Sequence, residues 1–486
     1  MGWDLLVVLI APFVVAVVCW WAPVAVGRAL TVASGALTFV LAVLLVPAAT
    51  TMAAGGWLRA DALSVVFLVA VAFLYATTAL FAVGYVQPAG DIDTAARYNR
   101  RFFAGLNLFA WSMAMAPVVN GFALLWVAIE VTTVISALLV AIDDTDGATE
   151  AAWKYVLIAS MGLGIALLAT IVMYYAGSSV FGGAYDLFYP KLLGAAGQFP
   201  AEVVRLSFVL AVLGYGTKMG LVPVHTWLPD AHSEAPTPIS ALLSGSLLAV
   251  SFYAILRFYQ VTVRAVGPAF PRNVLLAFGL ASLALGALYL ASQRDLKRLF
   301  AYSSVEHMGI LAIGMSFAAP IAVVGVLLHV LAHAAAKGTA FFGAGSVVRK
   351  FGTKDMDRIR GGVGALPWSG PMLVLAVLAL CALPPFGIFR SEFLIVSGGL
   401  SDPRDAIAAV LVVLVTLATL GITWFSSQTM LTPDPLPDGT TSGETSAWIV
   451  AAMAVGLVAL TVLGVHPPGQ LSDLLTRAAH ELGTGS

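Results

Sequence analysis

KMGLVPVHTWLPDAHSEAPTPISALLSG, residues 218–245, follows directly on the apolar run FVLAVLGYGT of residues 208–217. The run reads as the first part of a membrane-spanning helix, and it leads into a lysine. Five residues beyond Lys218, Pro223 removes a backbone donor and interrupts the helix. Then come His225, Trp227, Asp230, His232 and Glu234, two more prolines and a second apolar run. A charge at the bilayer centre costs roughly 2.5–3.5 kcal/mol on insertion scales, so its presence there points to function. Broken helices at membrane depth are tolerated only where they line a cavity or a water path.

The composition agrees. Of 486 residues, 60% are hydrophobic and 10% charged, against about 25% charged in average proteins, so a polytopic membrane protein is expected. At about 20 residues per span, the length admits a dozen or more helices in a lipid bilayer. A net charge of −1 gives no electrostatic footprint for nucleic acid, which is not expected as a partner. Cys19 and Cys381 lie in separate apolar runs, which excludes a cysteine-ligated iron–sulfur cluster and argues against a disulfide framework. No cofactor and no redox chemistry are expected in this chain. The N-terminal run carries Asp4 where a secretory signal would carry Lys or Arg, so it reads as a retained first span.

Hydropathy places fourteen spans, at about 4–24, 28–50, 61–86, 102–119, 122–142, 153–175, 203–228, 239–262, 273–292, 299–317, 320–347, 368–398, 406–430 and 446–465. An even count puts both termini on one side. Basic residues gather in three loops of like side: Arg97, Arg100 and Arg101; Arg294, Lys297 and Arg298; and Arg349, Lys350, Lys354, Arg358 and Arg360. The positive-inside rule makes these cytoplasmic and both termini external. Arg257, Arg264 and Arg272 read as one loop group on the opposite side, weakening the contrast without reversing it.

The seventh span is interrupted at Gly220 and Pro223, the twelfth at LPPFGIF through Pro384, Pro385 and Gly387. Five spans per unit is an odd number, so a second copy would be inverted relative to the first, and paired interruptions in two such units are a transporter signature. The expected division is 1–101 (spans one to three), 102–262 and 263–430 (the repeats), and 431–486 (linker, last span and tail). PDPLPDGTTSGET, 433–445, reads as a solvated linker. The tail after Pro468 reads as a frayed end in preference to an amphipathic surface helix.

Glu130 lies mid-span in LLWVAIEVTTVISALLV. It is either tied to Thr132 and Thr133 or it partners Lys218. Burial favours a neutral amine and an adjacent carboxylate favours the ammonium, so moving that carboxylate would load and unload the lysine. His329, His333 and Lys337 share one helix stripe at i, i+4 and i+8, as a proton relay would need. Histidines at i, i+4 can also ligate zinc, but no HExxH glutamate lies between them and no cysteine is near, so no metal is expected. Glu306 and His307 follow the basic loop QRDLKRLF and lie either at channel depth or at the interface. Glu392, after the second break, is read as channel-lining, with Arg390 two residues before it. His225, Asp230 and His232 either tie broken helix ends together or form a cytoplasmic mouth for proton uptake.

HTWLPDAHSEAP, SSVEHMGI and LPPFGIFRSEF together make the chain resemble the family of proton-conducting, antiporter-like membrane subunits shared by respiratory complex I, Mrp-type cation/proton antiporters and membrane-bound hydrogenases. Within the family they look closest to the F component of hydrogenase 4, from formate hydrogenlyase-type complexes. The resemblance covers essentially the whole chain. It implies that Glu130 and Lys218 form the ion pair of the first half-channel. It also implies that His329, His333 and Lys337 continue a central hydrophilic axis, and that Glu392 stands where other members carry lysine or glutamate. The eighth span departs from the complex I pattern: Ser240, Ser244, Ser246 and Ser251 stand where a lysine or histidine is often found.

The reading is thus an all-α polytopic membrane protein of about fourteen helices with two inverted five-helix repeats. It implies a chain translocating protons, or alternatively sodium, driven by redox chemistry in other membrane and peripheral subunits of a hydrogenase or complex I-like assembly. The alternatives are a secondary cation/proton antiporter component and a non-pumping membrane anchor.

Overall fold

The computed structural model describes residues 2–87, 91–317, 319–432 and 441–483, and the chain is almost wholly helical. Helices α1 (Gly2–Trp21), α2 (Val24–Leu44) and α3 (Ala62–Tyr85) come first, with a hairpin of β1 (Thr51–Ala53) and β2 (Leu58–Ala60) between α2 and α3. Then follow α4 (Ile92–Met115), α5 (Phe122–Val140), α6 (Asp146–Phe181), α7 (Tyr189–Ala195) and α8 (Ala201–Met219). Short helices α9 (Leu228–Glu234) and α10 (Thr237–Leu242) lead through a π turn at Leu243–Leu247 into α11 (Leu248–Val266). The second half comprises α12 (Ala269–Leu290), α13 (Leu296–Gly314), α14 (Pro320–Phe351), α15 (Gly362–Ala365), α16 (Ser369–Leu380), α17 (Gly387–Leu400) and α18 (Asp405–Met430). It is followed by α19 (Ala447–Val465) and α20 (Gly469–Glu481).

Among the described residues, ten helical stretches are long and apolar enough to cross a membrane, Thr237–Val266 counting as one. The four other expected spans coincide with α4, α8, α13 and the interrupted pair α16–α17. Charge explains most of the difference, since α4 opens with Asp93, Arg97, Arg100 and Arg101, and α8 carries Glu202, Arg205 and Lys218. Fourteen spans stays an expectation from hydropathy.

Both expected interruptions are present: α8 stops at Met219, and α16 and α17 are separated by residues 381–386. Each broken element packs along the long helix before it, α8 on α6 and α17 on α14. Glycines permit the approach on α6, where a Cβ at Gly162 would fall 2.5 Å from Thr217 Cβ. The α10–α11 stretch is buried from end to end of its apolar segment, and α14 is nearly so. By contrast α1, α2, α18 and α19 turn Val, Leu and Trp side chains outward, as lipid-facing helices must.

Two sequence readings are corrected here. Arg257 is not in a loop: it lies well inside α11, 1% exposed, with its guanidinium 2.6 Å from Asp61 ahead of α3. The polar run RFYQVTVR is tolerated inside the span because Asp61, Ser64, Tyr253 and Gln260 surround it with partners. The tail is not frayed either. Helix α20 buries Leu474, Leu475, Ala478 and Ala479 at helical spacing. Its Glu481 carboxylate accepts from the Ala62 and Leu63 amides at 3.1 and 3.0 Å, while Arg477 donates to the Val46 and Ala48 carbonyls at 2.6 Å. The tail thus caps the start of α3 and the end of α2, where backbone groups would be orphaned. It also brings the C-terminal helix to the face where α1 begins beside β1. Of the expected linker, 433–440 lies outside the described residues; beyond it, Glu444 caps α16 by accepting from the Trp368 and Ser369 amides.

Candidate functional site

The first break positions Lys218. Gly220 ends α8 in the left-handed region (φ +85°), with the Leu221 amide donating back to the Gly216 carbonyl at 2.8 Å. Trp227 reinforces this end, its indole donating to the Thr217 carbonyl at 2.8 Å. Lys218 is fully buried and turned onto α5, where Nζ donates to the Ile129 carbonyl at 3.0 Å and to the Thr133 hydroxyl. Glu130 does not form the expected direct ion pair. Lysine docks on the stripe of residues 129 and 133, and Glu130 lies roughly 100° round the helix from Ile129. The carboxylate is half-buried, and its Oε2 finds no protein partner among the described residues.

Lys337 on α14 is held in the same manner, donating to the Phe300 carbonyl at 3.0 Å and the Ser303 hydroxyl at 2.8 Å, both on α13. Each lysine therefore has two neutral acceptors on a neighbouring helix. A neutral amine has two N–H groups and is fully satisfied by such a site, while an ammonium keeps a third proton to give. Glu306 lies one turn beyond Ser303 and is 4% exposed, held inside the helix packing. His307 is completely buried beside it.

The second break completes the cluster by bringing α17 against α14. The Ser391 hydroxyl donates to the Ile388 carbonyl at 2.8 Å, so its oxygen accepts from His329 Nδ1–H at 3.0 Å. That leaves His329 Nε2 as the bare nitrogen, and it faces His307 Nδ1 at 3.1 Å. His307 must then be the donor, which leaves its own Nε2 bare; that atom has no protein partner among the described residues. The donor order runs His307 to His329 to Ser391 to Ile388, with Glu392 Oε1 3.9 Å from His307 Nδ1. His333 stands 5.2 Å ring to ring from His307, with no protein partner for either nitrogen among the described residues. It stacks on His329 with ring centres 6.2 Å apart, so the two do not converge as a zinc pair would. Glu392 also borders a cavity of about 350 Å³ between α13, α17, α18 and the turn after α16, shared with Cys381, Thr416 and Thr419.

The stretch between the breaks joins the halves. Asp230 is paired with Arg298 at 2.6 Å and Lys154 at 3.2 Å, and Glu234 with Lys354 at 2.6 Å, so α9 is lashed to the basic loops of the second half. His232 is fully buried, donating Nδ1–H to the Leu228 carbonyl at 2.8 Å and leaving Nε2 without a protein partner among the described residues. His225 is buried, and its Nδ1 has no protein partner among the described residues. In the π turn that follows, Ser244 shares a 2.8 Å hydrogen bond with Ser304, next to the serine that holds Lys337. Sequence reading missed Ser303, Ser304 and Ser391; hydroxyls are common in membrane helices, and only their placement beside Lys337 and His329 singles them out.

A family model described as NADH:quinone oxidoreductase/Mrp antiporter, TM, matches residues 119–420. The chain belongs to this family. The matched region of the NADH:quinone oxidoreductase/Mrp antiporter family contains both breaks and every residue of the two lysine sites and the histidine cluster. The chain is similar to the Hydrogenase-4 component F homolog of Methylacidiphilum infernorum, 37% identical over 365 residues covering 74% of this chain and 76% of that protein. It is similar too to Hydrogenase-4 component B of Escherichia coli K12, 30% identical over 348 residues, covering 69% of this chain and 50% of that longer protein. A chain of the Mrp complex from Dietzia sp. DQ12-45-1b has the same fold, with a TM-score of 0.86 over 99% of this chain and 98% of that one, at 20% identity.

Proposed function

We propose that this chain is the proton-translocating membrane component of a redox-driven complex of the hydrogenase-4 type, with sodium as the alternative ion. The observation that carries the reading is the oriented run of donors from His307 through His329 to Ser391, set beside Lys337, Glu306 and Glu392 where no bulk water reaches. A proton arriving at the bare Nε2 of His307 frees its Nδ1 proton to pass to His329 Nε2, and the Nδ1 proton of His329 then passes to the Ser391 oxygen as that hydroxyl turns from the Ile388 carbonyl and releases its own proton to a water. Each ring ends with its protonated nitrogen exchanged, so the run carries one proton in one direction and resets before the next. Lys337 and Lys218, each with a site that satisfies the neutral amine, act as proton stores in the two halves. Glu130, His333 and Glu392 are the carboxylate and imidazole groups that exchange protons with them, and His225 and His232 serve the route between.

Moving one charge against 100 mV requires about 2.3 kcal/mol, so the energy comes from partner subunits. Those partners include a peripheral hydrogenase module and further membrane subunits. The same reading puts the chain across a bacterial or archaeal cell membrane in fourteen spans, both termini outside, with repeats at 102–262 and 263–430. Likeness to the component F homolog supports the hydrogenase branch. Mild-detergent purification of the tagged chain from its host, with metal analysis and mass spectrometry, tests it. Nickel and iron with a hydrogenase large subunit are expected. Iron without nickel would point to a complex I-type assembly, and small apolar subunits without metal to an Mrp-type antiporter. A non-pumping anchor predicts that Lys218→Ala leaves ion movement unchanged.

A further inference from the structure

From the convergence of His307, His329 and Glu392 we infer a membrane-embedded binding site for a divalent transition metal of the zinc class, at which the ion arrests the relay. One potential ligand atom from each of the three residues lies within 4.8 Å of the other two, and all three residues are buried. His307 Nδ1 is 3.1 Å from His329 Nε2 and 3.9 Å from Glu392 Oε1. Tetrahedral zinc with bonds of about 2.0–2.1 Å sets its ligand atoms about 3.3 Å apart, so a small shift of the Glu392 side chain closes the set.

The donor chemistry fits as well. Imidazole and carboxylate oxygen together suit zinc, cobalt or nickel and not calcium or magnesium. Ser391 accepts from Nδ1–H of His329 and so presents Nε2 of that ring as the ligand, the outer-shell arrangement typical of metal-bound histidine. His307 becomes a ligand by moving its proton from Nδ1 to Nε2, which needs no proton loss. Glu392 Oε1 has no protein partner among the described residues, although the side chain is only 11% exposed. Glu392 also borders the cavity of about 350 Å³ that it shares with Thr416 and Thr419, which leaves room beside the carboxylate for a water ligand. Three ligands from α13, α14 and α17 would pin the helix that follows the second break to α13 and α14. The metal would also occupy both nitrogens through which the His307–His329 transfer runs.

Binding is independent of the proposed function; arrest rests on it. The test uses the detergent-purified full chain in its complex, with zinc titrated by equilibrium dialysis and the bound ion examined by X-ray absorption. One slowly exchanging zinc per chain is expected, with two imidazole nitrogens and carboxylate oxygen in its shell. Glu392→Gln and His329→Gln should each weaken it by at least roughly tenfold to a hundredfold, the loss typical of damaging even an outer-shell partner. Replacing the exposed His466 and His480 with asparagine should change nothing. Undiminished binding in both ligand variants, or a shell with fewer than two imidazoles, overturns the site. The wild-type absorption spectrum decides alone if the variants fail to fold. Zinc bound as described without slowing proton flux would refute the relay route and leave the site standing.

Discussion

Replacing Ser391 with alanine should slow proton conduction roughly 5- to 150-fold while leaving the chain folded. The serine oxygen accepts from His329 Nδ1–H at 3.0 Å, and both residues are fully buried. Removing it strands that N–H at a depth where a buried, unsatisfied donor costs about 1–3 kcal/mol. At 1.36 kcal/mol per decade, that range converts to the stated loss of rate if it falls on the conducting arrangement. The ring could escape by moving its proton to Nε2, but that proton would then point at His307 Nδ1–H across 3.1 Å. His307 would have to change tautomer in turn, and the donor order on which transfer depends would be lost. The assay is proton uptake by proteoliposomes holding the purified chain, driven by a potassium diffusion potential and followed with an internal pH dye. Ser391→Thr, which keeps the hydroxyl, should restore most of the rate. Wild-type flux from Ser391→Ala, or a Thr variant as slow as the Ala variant with both folded, would refute the argument.

Lys218→Ala should abolish proton flux in the same assay, and Thr133→Val, which removes one of its two acceptors, should reduce it without abolishing it; equal rates for all three would sink the proton-store reading. Arg257→Met leaves buried Asp61 with only the part-exposed Arg59, at 3.4 Å, as a charge partner and should destabilise the chain by up to about 3–5 kcal/mol, seen as a lowered melting temperature that Asp61→Asn partly restores. Burial, and then the neighbouring Asp61 charge, hold the Glu481 carboxyl above its usual range. Burial pushes Asp61 up too, but Arg257 outweighs it and holds that carboxyl down at about 2. Between an unfolded value of about 4.3 and its raised folded value, Glu481 binds more proton when docked, so docking of α20 should weaken as pH rises through that window. Asp61 stabilises above about 3.9 and loses its effect only as pH falls towards 2, so it does not offset this trend. Amide exchange of α20 should therefore be slower at pH 5 than at pH 7.5, after correction for intrinsic rates, and the difference should vanish in Glu481→Gln.

The breaks were legible because their causes are local. Gly220 needs a positive φ, and the prolines of LPPFGIF cannot continue a helix, so each announces itself within a few residues. The stripe of His329, His333 and Lys337 was legible for the same reason, being a matter of helical period. What sequence withheld is long-range. Asp61 and Arg257 are 196 residues apart, and without its partner an arginine in RFYQVTVR looks like the end of a span. The amphipathic spacing of α20 was visible, but its use as a cap depends on Ala62 and Leu63, more than 400 residues earlier. Glu306 was ambiguous because depth depends on which turn of α13 meets α12, where Gly286 lets the two backbones approach.

The two lysine sites differ in what surrounds them, and the difference bears on how they communicate. Lys218 has no imidazole in contact; its Nζ instead lies 5.9 Å from the centre of the Tyr155 ring. Tyr155 packs on Trp227 at 4.6 Å, Trp227 on His232 at 6.2 Å, and His232 on Phe341 of α14 at 5.7 Å. Tryptophan offers no lone pair for a proton, so this run of rings is no conduction path. It is a packing path, and it runs through α9, the helix that follows the first break. Helix α9 is fixed to the second half by Arg298 and Lys354, and to the end of α8 by the Trp227 indole. Lys218 is next in sequence to Thr217, whose carbonyl accepts from the Trp227 indole, and His232 lies next along the run of rings. Coupling between sites requires an element with two arrangements that both sites bias. The broken seventh span supplies the freedom for such an element, and its ion pairs to the second half supply the contact. In the proposed function, α9 is the element through which the two lysine sites would be coupled.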